Sequence, residues 1–372
     1  MQPASIDMKV MQLLPELNSG GVERGTLEIG AALVKSGHES VVVSNGGRLV
    51  SQLTQQGSRH VQLAIHKKSM SSLFKLWALR RLILQERPDI VHVRSRMPAW
   101  ITRFALNGIS PQQRPHLVST VHGMYSVNGY SAIMTQAEKV IAVSDSVVEY
   151  IHQHYPHCPK SSIVRIYRGI DLKEFPHGYQ PSASWWRSTY QLFPHLENKI
   201  LITLPGRITR LKGHEYLLDL IQQLKTEYHV HGVVVGGADE KKQAYLDELH
   251  QRVEDMDLQN DITFVGHRND IREWLAISDV VLSLSTQPET FGRTTLEAIA
   301  LGTPVVGWDR GGVSEILKRC YPTGLVEPEQ SELLFRKVHQ LLAVPVDPAP
   351  VTEFQLHHMT EQTIALYESL MS

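Results

Sequence analysis

Cysteine is scarce in this chain. Cys158 and Cys320 stand alone and far apart, so a disulfide framework and a cysteine-built zinc site both lack their ligands, and a reducing compartment is expected. No stretch of about 18 apolar residues occurs, which excludes a membrane-spanning helix of ordinary composition. The opening residues MQPASIDMKVMQLLPEL carry acids and polar groups where a signal peptide needs an unbroken apolar run, so the expected location is cytoplasmic. The GxGxxG dinucleotide fingerprint and the GxxxxGK[ST] phosphate loop are both missing, which argues against a nicotinamide dehydrogenase and a P-loop NTPase. The pairs His154/His157 and His357/His358 have no further ligands at motif spacing. The lone DxD, Asp255-Met256-Asp257, lies in the polar stretch HQRVEDMDLQND. No metal is expected.

What is present is globular and uneven in charge. The 372 residues are 42% apolar and 20% charged, which suits a soluble chain of two domains. Residues 1–180 hold 20 Lys and Arg against 12 Asp and Glu, whereas the remainder holds 17 against 26. Most of the basic excess falls in 67–114, where Lys67, Lys68, Lys75, Arg80, Arg81, Arg87, Arg94, Arg96, Arg103 and Arg114 face only Glu86 and Asp89. Such a patch suits an anionic partner or a merely solvated face. Trp77 and Trp100 lie within it, but no single-strand or groove-reading motif accompanies them, so nucleic acid is not an expected partner.

Short β-branched runs alternate with helical patterns: KVMQLL (9–14), SVVVSN (40–45), HVQLAI (60–65), DIVHVR (89–94), HLVSTVHG (116–123), KVIAVS (139–144) and SIVRIY (162–167). Continuous Val/Ile runs of this kind predict a parallel sheet covered on both faces. After a Pro- and Trp-containing stretch the pattern restarts with KILITLPG (199–206), HGVVVGG (231–237), ITFVGH (262–267), DVVLSLS (279–285) and PVVGWD (304–309). The expected fold class is α/β, with two Rossmann-like doubly wound domains facing a central cleft. Residues 1–175 form the first domain, completed by a C-terminal helix at 354–372. Residues 176–198 are read as a linker and 199–352 as the second domain. Ligand-binding residues then belong in strand-to-helix loops.

Three loops carry chemistry. In LLPELNSGGVERG, Gly20 and Gly21 let backbone approach a ligand at a helix start, or simply make a tight turn. In LPGRITRLKG, Arg207 and Lys212 are two cations able to clamp a diphosphate, Arg by its fork and Lys as a point charge. In PETFGRTTLEAIALGTPVV, the amides of Phe291, Gly292, Arg293 and Thr294 head a helix, Glu297 follows within its first turns, and Glu289 sits eight residues before it in the loop. A carboxylate at the position of Glu297 suits two neighbouring hydroxyls, as a ribose presents, and Glu289 suits a polyhydroxylated substrate.

The set GGVER (20–24), HG (122–123), YRGID (167–171), GRITRLKG (206–213), GHRNDIREW (266–274) and ETFGRTTLEAIALGTPVV (289–306) resembles the retaining GT-B glycosyltransferases of the "glycosyl transferases group 1" family. The Glu-x7-Glu block is its most specific part. SNGGRLV (44–50), RSRMPAW (94–100) and FGRT bring the resemblance nearest to bacterial lipopolysaccharide-core transferases, including mannosyl ones.

That resemblance implies a hexose moved with retention from a GDP- or UDP-linked donor to an anionic, lipid-linked saccharide. The diphosphate falls to Arg207 and Lys212, the ribose to Glu297, and the base to the loop Gly266, His267 and Arg268. The donor sugar falls to Glu289 and the Phe291–Gly292 amides, and His122 stands near the reacting sugar. Catalytic roles are expected for His122, Arg207, Lys212 and Glu289, with no covalent adduct on Glu289 and no cofactor or metal required. The segment MSSLFKLWALRRLILQERPD (70–89) places Leu73, Leu76, Trp77, Ile83 and Leu84 at helical spacing beside Lys75, Arg80 and Arg81. With Arg94 and Arg96, those cations are expected to meet the acceptor or the inner-membrane surface. The competing readings are a nucleotide-sugar epimerase or phosphorylase of the same shape, and a catalytically silent nucleotide-binding scaffold.

Overall fold

The computed structural model describes residues 7–18, 20–65, 72–239 and 242–372. Lys67 and Lys68 of the basic stretch, and the side chain of Leu73, lie outside the described residues. The chain divides into two compact units, the first running through Arg168 and regaining Leu356–Ser372, the second formed by Gly169–Gln355.

The first unit is built on seven parallel strands: β1 (Lys9–Leu13), β2 (Glu39–Ser44), β3 (Arg59–Gln62), β4 (Ile90–Val93), β5 (His116–Val121), β6 (Lys139–Ala142) and β7 (Ile163–Arg165). Their order is β3-β2-β1-β4-β5-β6-β7. Val10 pairs with Ser40 on one side and Ile90 on the other, so alternate residues of neighbouring strands share a face. Met11, Leu13, Val41, Val43, Val91 and Val93 fill one face. Val10, Ile90 and Val118 fill the other, against Ile29 and Leu33 of the helix Gly21–Lys35 and Met359, Leu366 and Tyr367 of the helix Leu356–Met371. Burial on both faces is why these strands are unbroken apolar runs. It also explains why the C-terminal helix belongs to the first unit: its apolar stripe completes a layer that the preceding chain leaves open.

The second unit repeats the plan with β8 (Ile200–Pro205), β9 (Val230–Val235), β10 (Ile262–Gly266), β11 (Val280–Ser283), β12 (Val305–Trp308) and β13 (Leu325–Val326). Its order is β10-β9-β8-β11-β12-β13. The two-residue β13 escapes sequence reading because periodicity needs more residues than it has.

The segment expected as a linker is different in kind. Residues 176–198 contain the helix Ala183–Leu192, whose Ser182 hydroxyl accepts from the Trp185 amide at 3.2 Å as an N-cap. Trp185 and Phe193 pack edge-on against the fully buried Trp274 at centroid distances of 5.5 and 5.9 Å. Two aromatic rings bury too much apolar surface to remain in a connector, so this segment is part of the core of the second unit.

In each sheet the strand order reverses once, between β1 and β4 and between β8 and β11. The crevice outside the carboxyl ends of the strands at such a reversal is where open α/β sheets hold ligands. Among the described residues no helix is long and apolar enough to cross a membrane.

Candidate functional site

At the reversal point of the second unit, β8 runs into Gly206, whose φ of 137° lies in a region that L side chains avoid. A Cβ on Gly236, just past β9, would collide with the Gly206 carbonyl, and a Cβ on Gly213 would collide with the Leu284 carbonyl past β11. Three loops are thereby drawn together, backbone against backbone. Arg207 is exposed on this ledge, with no hydrogen bond or ion pair among the described residues. Lys212 ends the short turn Arg210–Lys212, ahead of the helix His214–Leu224, and lays its stem over Gly206.

The Lys212 ammonium donates to Glu289 Oε1 at 2.6 Å, and the Ser285 hydroxyl donates to the same oxygen. Burial pushes the Glu289 carboxyl up, but the Lys212 charge and these two hydrogen bonds outweigh it, so its pKa lies below the usual value and the group is a carboxylate at neutral pH. Backbone holds it as well: the Gly312 amide donates to the Glu289 carbonyl at 2.7 Å. Cβ atoms on Gly311 and Gly312 would run into the 289–291 backbone. Sequence reading missed Ser285 and the Gly311-Gly312 pair. A signal for the glycines existed, since they form a second Gly-Gly turn between a strand and a helix, like Gly20-Gly21.

The helix Arg293–Leu301 opens on Gly292, with φ 91°, which leaves the first amides without intrahelical acceptors. Thr294 is partly exposed in this first turn. Phe291 is buried and turns its ring to Phe354 at 5.8 Å, so only its backbone is available to a ligand. Glu297 is 2% exposed, and its Oε1 accepts from Arg293 Nε at 2.9 Å. In the 266–268 loop, Gly266 has φ 73° and His267 is exposed. The Arg268 fork closes on Asp270 at 2.8 Å twice, and Asp270 also accepts from the Trp185 indole at 2.7 Å. Arg268 therefore anchors this loop to the aromatic core.

The first unit's reversal point has another character. Gly20 (φ 137°) caps the helix Gly21–Lys35. Cβ atoms on Gly21 and Gly25 would meet the Arg168 guanidinium at 2.9 and 2.8 Å, and Arg168 donates to the Gly21 carbonyl. Arg94 follows β4, is 3% exposed, and donates its Nε to Gln12 Oε1 at 2.8 Å. His122 follows β5. Burial, followed by the charges of Arg168 and Arg94 and by His92, holds its pKa well below 6.5, so the imidazole is neutral. Beneath it His92 bridges the Tyr367 hydroxyl at 2.6 Å and the Thr120 hydroxyl at 2.7 Å.

The remaining expected cations divide. Arg96 lies over the rings of Tyr125 and Tyr130 at 4.6 and 5.3 Å and donates to Ser131 at 3.2 Å. Arg80 lies over Trp77 at 4.8 Å and donates to the Ala105 carbonyl at 3.1 Å, tying the helix Ser72–Glu86 to Arg96–Asn107. Arg81 is exposed and Lys75 partly so. Ile83 is buried, Leu76 is partly buried, and Leu84 is exposed. Trp77, expected on the apolar face, is 63% exposed, and its neighbour Phe74 is 80% exposed.

Comparison with known proteins completes the picture. Residues 19–174 match the family model described as Glycosyltransferase Family 4, and residues 191–353 match Glycosyl transferases group 1. The N-acetyl-alpha-D-glucosaminyl L-malate synthase of Bacillus anthracis is 24% identical over 318 residues, which is 82% of this chain and 79% of that one. Among solved structures, a glycosyltransferase from Rickettsia africae superposes with a TM-score of 0.85 at 26% identity, covering 98% of this chain and 99% of its own. Anabaena HepE, crystallised in complex with UDP and glucose, superposes with a TM-score of 0.83 at 22% identity, covering 97% of this chain and 100% of its own. Two sheets of Rossmann order give this chain the GT-B glycosyltransferase fold, with the Glycosyltransferase Family 4 model matched in its first half and the Glycosyl transferases group 1 model in its second.

Proposed function

We propose that the chain transfers a hexose of the mannose or glucose type, with retention, from a nucleoside-diphosphate sugar to a hydroxyl of an anionic, lipid-linked saccharide of the lipopolysaccharide-core kind. The observation that carries the donor half is the convergence of Lys212, Ser285 and Glu289 where the second sheet reverses, with Arg207 exposed on the loop that follows β8. UDP is the first nucleotide to try, because HepE is a structural neighbour in complex with it. The acceptor half rests on the positive balance of the first unit and on the buried Arg94 beside neutral His122.

On this reading Arg207 and Lys212 meet the diphosphate. Each cation stabilises the departing charge by about 4 kcal/mol at ~4 Å and an effective dielectric near 20, before desolvation. Lys212 exchanges part of its bond to Glu289 for a phosphate oxygen, and Glu289 turns toward a sugar hydroxyl. Glu297, held by Arg293, accepts from the ribose; the Gly292–Thr294 amides face the donor, and His267 borders the base. His122, uncharged, serves as a hydrogen-bond partner of the sugar. The acceptor hydroxyl attacks from the face the leaving diphosphate vacates and gives its proton to that diphosphate. No protein nucleophile, cofactor or metal is then required.

Calorimetry with UDP, GDP and ADP tests the donor site. One nucleotide should bind at micromolar concentration, more weakly to Glu297→Ala and to Arg207→Ala with Lys212→Ala. Absence of binding by all three would leave the scaffold reading in its place, and turnover of the sugar nucleotide without an acceptor would favour the epimerase. We further propose that the exposed Phe74, Trp77 and Arg81 and the partly exposed Lys75 rest on an anionic leaflet, which puts the chain at the cytoplasmic face of the inner membrane.

A further inference from the structure

The arginines at the first unit's reversal point have a use that the donor chemistry does not supply. A methyl group on Gly25 would lie 2.8 Å from Arg168 Nη2 and 3.6 Å from Arg94 Nη1, so both guanidinium groups approach the same glycine. Both line a cavity of about 30 Å³ whose wall is mainly apolar, with Ile141, Val143, Ile166 and Met359 beside the polar Thr120 and His122. That is room for about two water-sized oxygens. Arg94 is 3% exposed, spends only its Nε on Gln12, and has no carboxylate at ion-pair distance among the described residues. The carboxylate whose field reaches it is Glu28, which is paired with Arg24 at 3.7 Å. Burying a guanidinium without an ion pair, with a second one beside it, is unfavourable in the empty protein and becomes favourable when an anion enters.

We propose that this cavity binds the carboxylate or phosphate of the acceptor, two oxygens deep, with Arg94 at its floor and Arg168 at its mouth, and so selects acceptors that carry an acidic group near the receiving hydroxyl. His122 and Thr120 line the same cavity, which sets that hydroxyl beside the residue expected next to the reacting sugar. The proposal rests on the glycosyltransferase reading for its acceptor, but not for the anion site itself. Gly21 and Gly25 are glycines here because side chains at those positions would displace Arg168.

The test is calorimetric titration of the full chain with inorganic phosphate, in the presence of saturating UDP so that the donor site is filled. The wild type should bind phosphate. Arg168→Gln, whose side chain is partly exposed and whose fold is therefore expected to persist, should weaken phosphate by about tenfold or more, the loss of a charge-assisted hydrogen bond, with UDP affinity unchanged. Arg94→Gln should do the same, with thermal melting as its folding control. Phosphate affinity unchanged by Arg168→Gln overturns the proposal. So does phosphate that is expelled by UDP or lost in the Arg207→Ala, Lys212→Ala variant, since the anion would then sit with the donor. UDP that fails to bind while phosphate binds and responds to Arg168→Gln would remove the donor reading and keep this site.

Discussion

The two reversal points occupy equivalent places in two sheets of the same strand order, yet they handle charge in opposite ways. In the second unit Lys212 and Glu289 neutralise each other at 2.6 Å, and Gly213, Gly236 and Gly311 around them meet backbone carbonyls. In the first unit two arginines converge, and the glycines meet the tips of a side chain. One site holds its charges paired, while in the other the buried Arg94, with no carboxylate at ion-pair distance among the described residues, lies near the Arg168 side chain. A donor common to many sugar transfers suits the first arrangement; an acceptor that must be told from its competitors suits the second.

The sharpest way to break this contrast is at Lys212. Lys212→Ala removes a cation from the leaving group and leaves the Glu289 carboxylate without its main partner, so kcat/KM should fall by about 10²–10³-fold. Arg207→Ala, at an exposed residue with no partner among the described residues to orphan, should cost less. Equal losses in steady-state kinetics would show that the ion pair is incidental.

Next come the glycines. Gly236→Ala forces backbone apart and should destabilise the second unit by about 1–3 kcal/mol in urea unfolding. Gly25→Ala meets only guanidinium atoms, so it should leave stability nearly intact while displacing Arg168. If Gly25→Ala proves the more destabilising, the distinction between backbone and side-chain contacts fails.

Acid should weaken both units over one window for a shared reason. Burial lowers His214 and His231 to about 4 from an ordinary value of 6.5, and holds His92 and His122 well below it. The unfolded chain takes up protons that the folded chain refuses once the pH drops below about 6.5. Stability is therefore full above that pH and declines as the pH falls toward 4. The lowered pKa of Glu289 adds a loss only as the pH falls through the carboxylate range. Melting temperature measured from pH 8 to pH 4 should begin to drop near 6.5, and an onset confined to the carboxylate range would contradict the buried neutral histidines.

The smallest effect is expected at the membrane face. Lys75→Glu with Arg81→Glu should reduce binding to anionic vesicles by about 1 kcal/mol per cation removed, and Trp77→Ala should add to that loss. Vesicle binding indifferent to all three would remove the leaflet from the proposal.

Much of the fold is readable from the chain because strands buried on both faces must be continuous apolar runs. VVV at 41–43 and LIT at 201–203 leave little else to be. β13 was not readable, being two residues long, and Ala183–Leu192 was mistaken for a connector because its Ser- and Trp-rich pattern sits between prolines. At the donor site, residue types were legible and pairings were not. Arg207, Lys212, Glu289 and Glu297 stand out by spacing, but that Lys212 meets Glu289 across 77 positions, with Ser285 on the same oxygen, follows from loop backbones drawn together by glycine. Arg268 and Arg96 read as cations ready for a ligand, yet the fold spends one on Asp270 and the other on Tyr125 and Tyr130.

By itself the sequence determined two parallel sheets, the loops that leave their carboxyl ends, and the charge types placed in those loops, because periodicity and composition act locally along the chain. Only the tertiary structure decided which charges meet and what surrounds them. Arg168 reaches the helix start at Gly21 from 147 positions away, and Arg94 is buried by strands on either side of its own. A charge's free energy depends on what surrounds it in space, and neighbours in the sequence do not supply those surroundings.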